Sequence, residues 1–200
     1  MTDTMQPAIA LLEFDSIAIG MRAGDAMVKR AHVEVTFAGT VHPGKYLVLV
    51  GGDVATVEEA FSAGLAAGRE ALLDHVFLPA VHPDLVAVLR GARGRMMGEA
   101  LGVVETRTAA AAIGAADRGL KGAEVGLMEI KLADRLGGKA YCIFSGSVSD
   151  VEAAVELAVG ALESPDALVA KVVIPRFHEE MLSNLQSSTE FSGRIHGGGD

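Results

Sequence analysis

The chain has 200 residues, half of them hydrophobic and 22 % charged: enough apolar content for one large or two small cored domains, and too much for disorder. Its net charge of −9 argues against the basic face that phosphate neutralisation requires, and aromatics at 4 % with no Trp leave no base-stacking platform, so no nucleic-acid partner is expected. A single cysteine, Cys142, excludes an intrachain disulfide and any zinc or iron–sulfur site built from several cysteines of one chain.

The first residues lack a basic segment followed by an apolar run, and nowhere do about 18 apolar residues follow one another, so neither a signal peptide nor a membrane span is expected and the location reads as cytoplasmic. Ile9 to Phe14 is a short apolar run and predicts a strand. Ser16 is placed to cap a helix in which Met21, Ala23, Gly24, Met27, Val28 and Ala31 recur at helical spacing. Val33 to Gly39 predicts a second strand, and Tyr46 to Val50 a third with both faces buried. Asp53 caps a second helix carrying Val54, Val57, Ala60, Phe61 and Gly64 on one side. Leu72 to Leu78 predicts a fourth strand, and Pro83 to Leu89 a short helix.

The same order then returns. Glu13, Asp25, Lys29 and Ala31 are matched by Glu105, Asp117, Lys121 and Ala123. Two residues later in register, Gly44-Lys45, Gly52 and Val57-Glu58 are matched by Gly138-Lys139, Gly146 and Val151-Glu152. After two more, Pro79 and His82 meet Pro175 and His178. Strands are expected over Leu101–Glu105, Val125–Lys131, Ala140–Phe144 and Leu168–Ile174, and helices over Thr108–Gly122, Val148–Leu162 and a short stretch after Pro175. The chain is two copies of one unit, expected over residues 8–92 and 99–186, with the Gly/Arg stretch Gly91 to Gly98 between them and a polar, flexible tail over 187–200. Each unit reads β-α-β-β-α-β plus a short helix. That is the split βαβ, ferredoxin-like order, an α+β class with an antiparallel sheet and helices on one face.

No active site is displayed. Gly39 to Lys45 imitates G-x-x-x-x-G-K, but Tyr46 stands where Ser or Thr should hold magnesium, and the loop feeds a strand rather than a helix N-terminus. His32, His42, His75, His82, His178 and His196 show no close metal-ligand spacing. His82 and His178, equivalent residues after a proline, read as helix-start positions. Cys142 reads as a buried, inert thiol. Glu13 and Glu105 recur at strand ends, where a carboxylate can be catalytic, a cap or an interface contact.

Leu101-Gly-Val-Val-Glu-Thr-Arg107, the helices around Asp25–Lys29 and Asp117–Lys121, the loops at Gly44-Lys45 and Gly137-Gly138-Lys139, and Gly52-Asp53-Val54 together resemble bacterial microcompartment shell domains over residues 8 to 186. Two such domains in unpermuted order resemble the tandem, trimer-forming shell proteins, and the propanediol-utilisation type most. The resemblance implies a structural protein that is not an enzyme: a homotrimer forming a pseudohexagonal disc with a central pore for small metabolites, tiling with other shell proteins around encapsulated enzymes. It implies that Lys29 and Lys121 lie at the disc edge. It implies a pore lined by Val41, His42, Pro43, Gly44 and Lys45 of the first copy and Arg135, Leu136, Gly137 and Gly138 of the second. In the propanediol type the position of His42 is a cysteine, and three of them hold an iron–sulfur cluster. With His42 in that place no cofactor is expected. Three imidazoles on an axis form a polar collar, or a site for a divalent metal. Against the shell reading stands a tandem ferredoxin-like regulatory module that binds a small effector between its repeats.

Overall fold

The computed structural model describes residues 8–187 apart from 93 and 95. The first copy runs β1 (Ala8–Phe14), α1 (Ile17–Arg30), β2 (Val35–Val41), β3 (Lys45–Gly52), α2 (Val54–Gly68), β4 (Leu72–Leu78) and α3 (Pro83–Leu89). The second runs β5 (Ala100–Thr106), α4 (Ala109–Gly122), β6 (Gly126–Leu132), β7 (Ala140–Gly146), α5 (Val148–Gly160), β8 (Leu168–Ile174) and α6 (Glu179–Ser187). Each copy folds into one antiparallel four-stranded sheet, ordered β2-β3-β1-β4 and β6-β7-β5-β8, as the ferredoxin-like order requires. The expected tail beyond residue 187 lies outside the described residues.

Local chemistry sets the element boundaries. The Ser16, Asp53, Thr108 and Ser147 side chains accept from the backbone N–H three residues on and so start the four long helices. His82 Nδ1 accepts from Asp84 N at 3.2 Å, and His178 Nδ1 from Glu180 N at 3.3 Å. The expected helix-start role of both histidines therefore holds. The β2 strand lies two residues later than the sequence predicts. Val33 belongs instead to a turn, its N–H bonded to Ala31 O, and pairing with β3 begins only at Val35 opposite Gly51.

The two faces of β1 explain how the copies are joined. Along a strand, alternate residues face opposite sides. Ala8, Ala10, Leu12 and Phe14 point to α1 and α2, where they pack with Ala23, Met27, Val57 and Ala60. Ile9, Leu11 and Glu13 point the other way and are buried as well. There Ile9 and Leu11 share one continuous apolar cluster with Val81 and Leu85 of the first copy and Ile113, Leu120 and Leu127 of the second. At about 25 cal/mol per Å², a fully buried leucine contributes roughly 2 kcal/mol, so this shared cluster welds the copies together.

Candidate functional site

The shared cluster ends in a charged joint. Glu13 is fully buried, and its Oε1 accepts from Lys45 Nζ at 2.6 Å. Its Oε2 accepts from Ala109 N at 2.7 Å. Ala109 opens α4, so the carboxylate of one copy sits on the positive helix end of the other. The Lys45 ammonium crosses in the opposite sense and donates to Gly138 O at 3.1 Å. The Thr108 hydroxyl, while capping α4, donates to the Asp74 carboxylate on β4. At the far end of α4, Asp117 Oδ1 accepts from His82 N at 2.8 Å, and Asp117 also pairs with Lys121. Glu13 thus makes a cap contact, at the start of α4, that is at the same time an interface contact between the copies.

The loops expected to line a pore come together at this joint. Gly138 lies so close to the first-copy loop that a Cβ there would stand 3.0 Å from Lys45 Cε and 3.1 Å from Pro43 Cδ. His42 Nδ1 and Asp134 Oδ1 are 3.4 Å apart and exposed, one from each copy. Thr40, Val41, His42, Pro43, Gly44 and Asp134 line one open concavity. His42, Pro43, Gly44, Arg135 and Gly137 are exposed, while Val41 and Leu136 are half-buried and Gly138 is buried. The tight course of the second loop is carried by Gly137 and Gly138 at φ 64° and 83°, where a side chain is strained. Lys45 stands at the base of the loop, and its ammonium turns inward to neutralise Glu13, because a buried carboxylate needs a counter-charge.

Lys29 is exposed and pairs with Asp25 Oδ2 at 2.6 Å, one helical turn away. Lys121 forms the matching pair with Asp117. Among the described residues no group of three or more His, Cys, Asp or Glu side chains could hold a metal within one chain. The loop also does not fit an iron–sulfur cluster. Its donor is the His42 imidazole beside a carboxylate, and the chain's cysteine lies buried in β7, where desolvation pushes the Cys142 thiol up to about 12. No described helix is long and apolar enough to cross a membrane.

Sequence reasoning offered an interface contact for Glu13 but missed its pairing with Lys45, although both stood in the repeat. A charged residue within an apolar strand, matched by a lysine at a strand start, was the available signal.

Comparison with known proteins agrees with this architecture. The BMC domain family matches the chain twice, over residues 8–81 and 100–177. The bacterial microcompartment shell protein PduT of Citrobacter freundii is 41 % identical over 177 residues, covering 88 % of this chain and 96 % of that protein. The shell protein PduA of Salmonella typhimurium is 36 % identical over 87 residues, covering 42 % of this chain and 92 % of its own length, as expected of a match to one copy. A crystal structure of a microcompartments protein from Desulfitobacterium hafniense superposes with a TM-score of 0.78 at 39 % identity, covering 88 % of this chain and 98 % of that one. The chain belongs to the BMC-domain family of bacterial microcompartment shell proteins, with two copies of the domain in tandem.

Proposed function

We propose that this shell protein acts as a tile: three chains close head to tail into a pseudohexagonal disc whose central pore passes small metabolites. The observation that carries this reading is the meeting of the 42–45 and 133–139 loops at one end of the joint, with His42 and Asp134 exposed beside each other. Three such pairs around an axis make a ring of six loops, and glycine at Gly44 and Gly137 keeps its centre open. The lining is then an alternating set of imidazoles and carboxylates. Selectivity comes from width and from these polar groups, and no bond is made or broken.

No resident cofactor belongs to this reading, and the His42 imidazoles serve as a polar collar. Lys29 and Lys121 lie at the disc rim and contact neighbouring discs and other shell proteins, which together enclose the compartment's enzymes. The deciding experiment is the solution mass of the purified protein together with negative-stain imaging. A particle of three chains that tiles into hexagonal sheets is the expected result. A monodisperse monomer or dimer with no sheets at high concentration overturns the proposal and favours an effector-binding module.

A further inference from the structure

Beside the joint the two copies leave an open groove of about 350 Å³ that the tile reading does not use. One wall is β4 of the first copy, with Asp74, His75 and Val76. The other is the start of α4, with Thr108, Ala111 and Gly114, and the segment ahead of β8, with Glu163 and Asp166. Both walls belong to one chain. Pockets at the seam between two domains are common places for small ligands. The space is real at Gly114, where a Cβ would meet only Val76 Cγ2, at the ordinary contact distance of 3.7 Å.

Opposite charges face this groove without neutralising one another. Asp74 is half-buried; it accepts from the Thr108 hydroxyl and, through Oδ1, from His75 N at 2.8 Å. A carboxylate has about four acceptor sites, so two of them remain. Arg107 stands at the rim and is held there by the turn at Pro165–Ala167: its backbone N–H donates to Ala167 O at 2.9 Å and its Nε to Asp166 O at 2.8 Å. The rest of its guanidinium fork has no partner among the described residues, and the same is true of the Glu163 and Asp166 carboxylates. The His75 ring is already packed edge-on against Phe61, with centroids 5.5 Å apart. The first N–H groups of α4 are also spent, Ala109 N on Glu13 and Ala111 N on Thr108. An anionic group entering the groove therefore has Arg107 to meet and not the helix end, and a cationic one has Asp74.

The repeat sets this lining apart from packing. Where the copies do the same structural work they keep the residue, as in the pairs Glu13–Lys45 and Glu105–Lys139, or Asp117–Lys121 and Asp25–Lys29. Here they do not: Asp74, His75, Arg107 and Gly114 are matched by Ala170, Lys171, Asp15 and Arg22. We propose that the groove binds a free α-amino acid with an apolar side chain. Its ammonium donates to Asp74, its carboxylate accepts from the Arg107 guanidinium, and its side chain lies over Val76, Ala111 and Gly114. The carboxylates of Glu163 and Asp166 at the mouth favour the ammonium and turn away a simple anion. A guanidinium fixed by its own Nε bond presents a ready-made fork to a carboxylate.

The test is calorimetric titration of the full chain with three probes that share one hydrocarbon body: L-leucine, isoamylamine, which lacks the carboxylate, and isocaproate, which lacks the ammonium. Leucine is expected to bind once per chain with a dissociation constant below about 1 mM, and each analogue at least about tenfold more weakly. Arg107→Gln is expected to weaken leucine by the same factor and leave isoamylamine unchanged; Asp74→Asn is expected to weaken leucine and leave isocaproate unchanged. Gly114→Leu fills the groove from a helix position whose twin already carries a long side chain, Arg22. It is expected to abolish binding of all three probes with unchanged circular dichroism. No saturation by leucine up to about 10 mM, or binding that survives Gly114→Leu, overturns the site. Isoamylamine or isocaproate binding as tightly as leucine overturns the two-charge recognition. None of these outcomes depends on the ring, whose own test is the solution mass.

Discussion

Lys45 and Glu13 carry an ion pair of the joint whose carboxylate is closed to water, and this makes them unequal to their twins. Removing one partner of a buried pair leaves an uncompensated charge, which costs far more than an exposed pair contributes. Glu13 keeps the Ala109 N–H, but a single neutral donor does not replace an ammonium at 2.6 Å. Lys45→Met is therefore expected to lower the unfolding free energy by about 3 kcal/mol in urea titrations, with an unchanged slope. The same change at Lys139, measured at a dilution where chains are separate, is expected to cost under about 1 kcal/mol, because that pair is open to solvent. Equal losses at the two positions would show that Glu13 is hydrated after all.

Among the elements, two glycines on helices show how packing overrides propensity. Alanine in a helix interior is worth about 1 kcal/mol over glycine. At Gly20 on α1 the added Cβ would lie 2.7 Å from Tyr46 Cβ, an atom fixed to the β3 backbone that cannot swing aside. Overpacking of this kind costs roughly 1–3 kcal/mol, so Gly20→Ala is expected to destabilise the first copy. At Gly160, the last residue of α5, nothing lies within 4 Å, and Gly160→Ala is expected to raise the melting temperature through a gain of about 0.5 kcal/mol. Thermal melts of the two variants should move in opposite directions; a common direction would mean that β3 yields or that the end of α5 is frayed. The order of elements was legible because period and caps are local: β4, α3 and β8 lie where the pattern places them. The start of β2 was not, since pairing with β3 decides it. The loops around His42 and Gly137 were legible as turns through their glycines. That Lys45 leaves its loop for Glu13 depends on a helix end 96 residues from that carboxylate, which no local pattern encodes.

At the scale of the whole molecule, a tandem repeat would by default unfold as two domains, each with its own core. This chain does not fit that default. The first copy has a cluster between its sheet and helices, but the second copy's cluster continues across the joint to Ile9, Leu11, Leu47 and Leu85. Neither copy can unfold without stripping cover from the other, so the free energy of separating them adds to the cooperativity of each. The expected result is one calorimetric transition, with a van't Hoff enthalpy close to the calorimetric one at each of several protein concentrations. Leu85→Ala removes a fully buried side chain from α3 at the seam, at a cost of about 2–5 kcal/mol, and is expected to split the transition in two, because the coupling and not either core takes most of the loss. Two resolved transitions in the unaltered protein would mean that the copies are merely adjacent. In that case the cluster around Ile9, Leu11 and Leu85 would carry no coupling energy, and Leu85→Ala would lower one transition and leave the other in place.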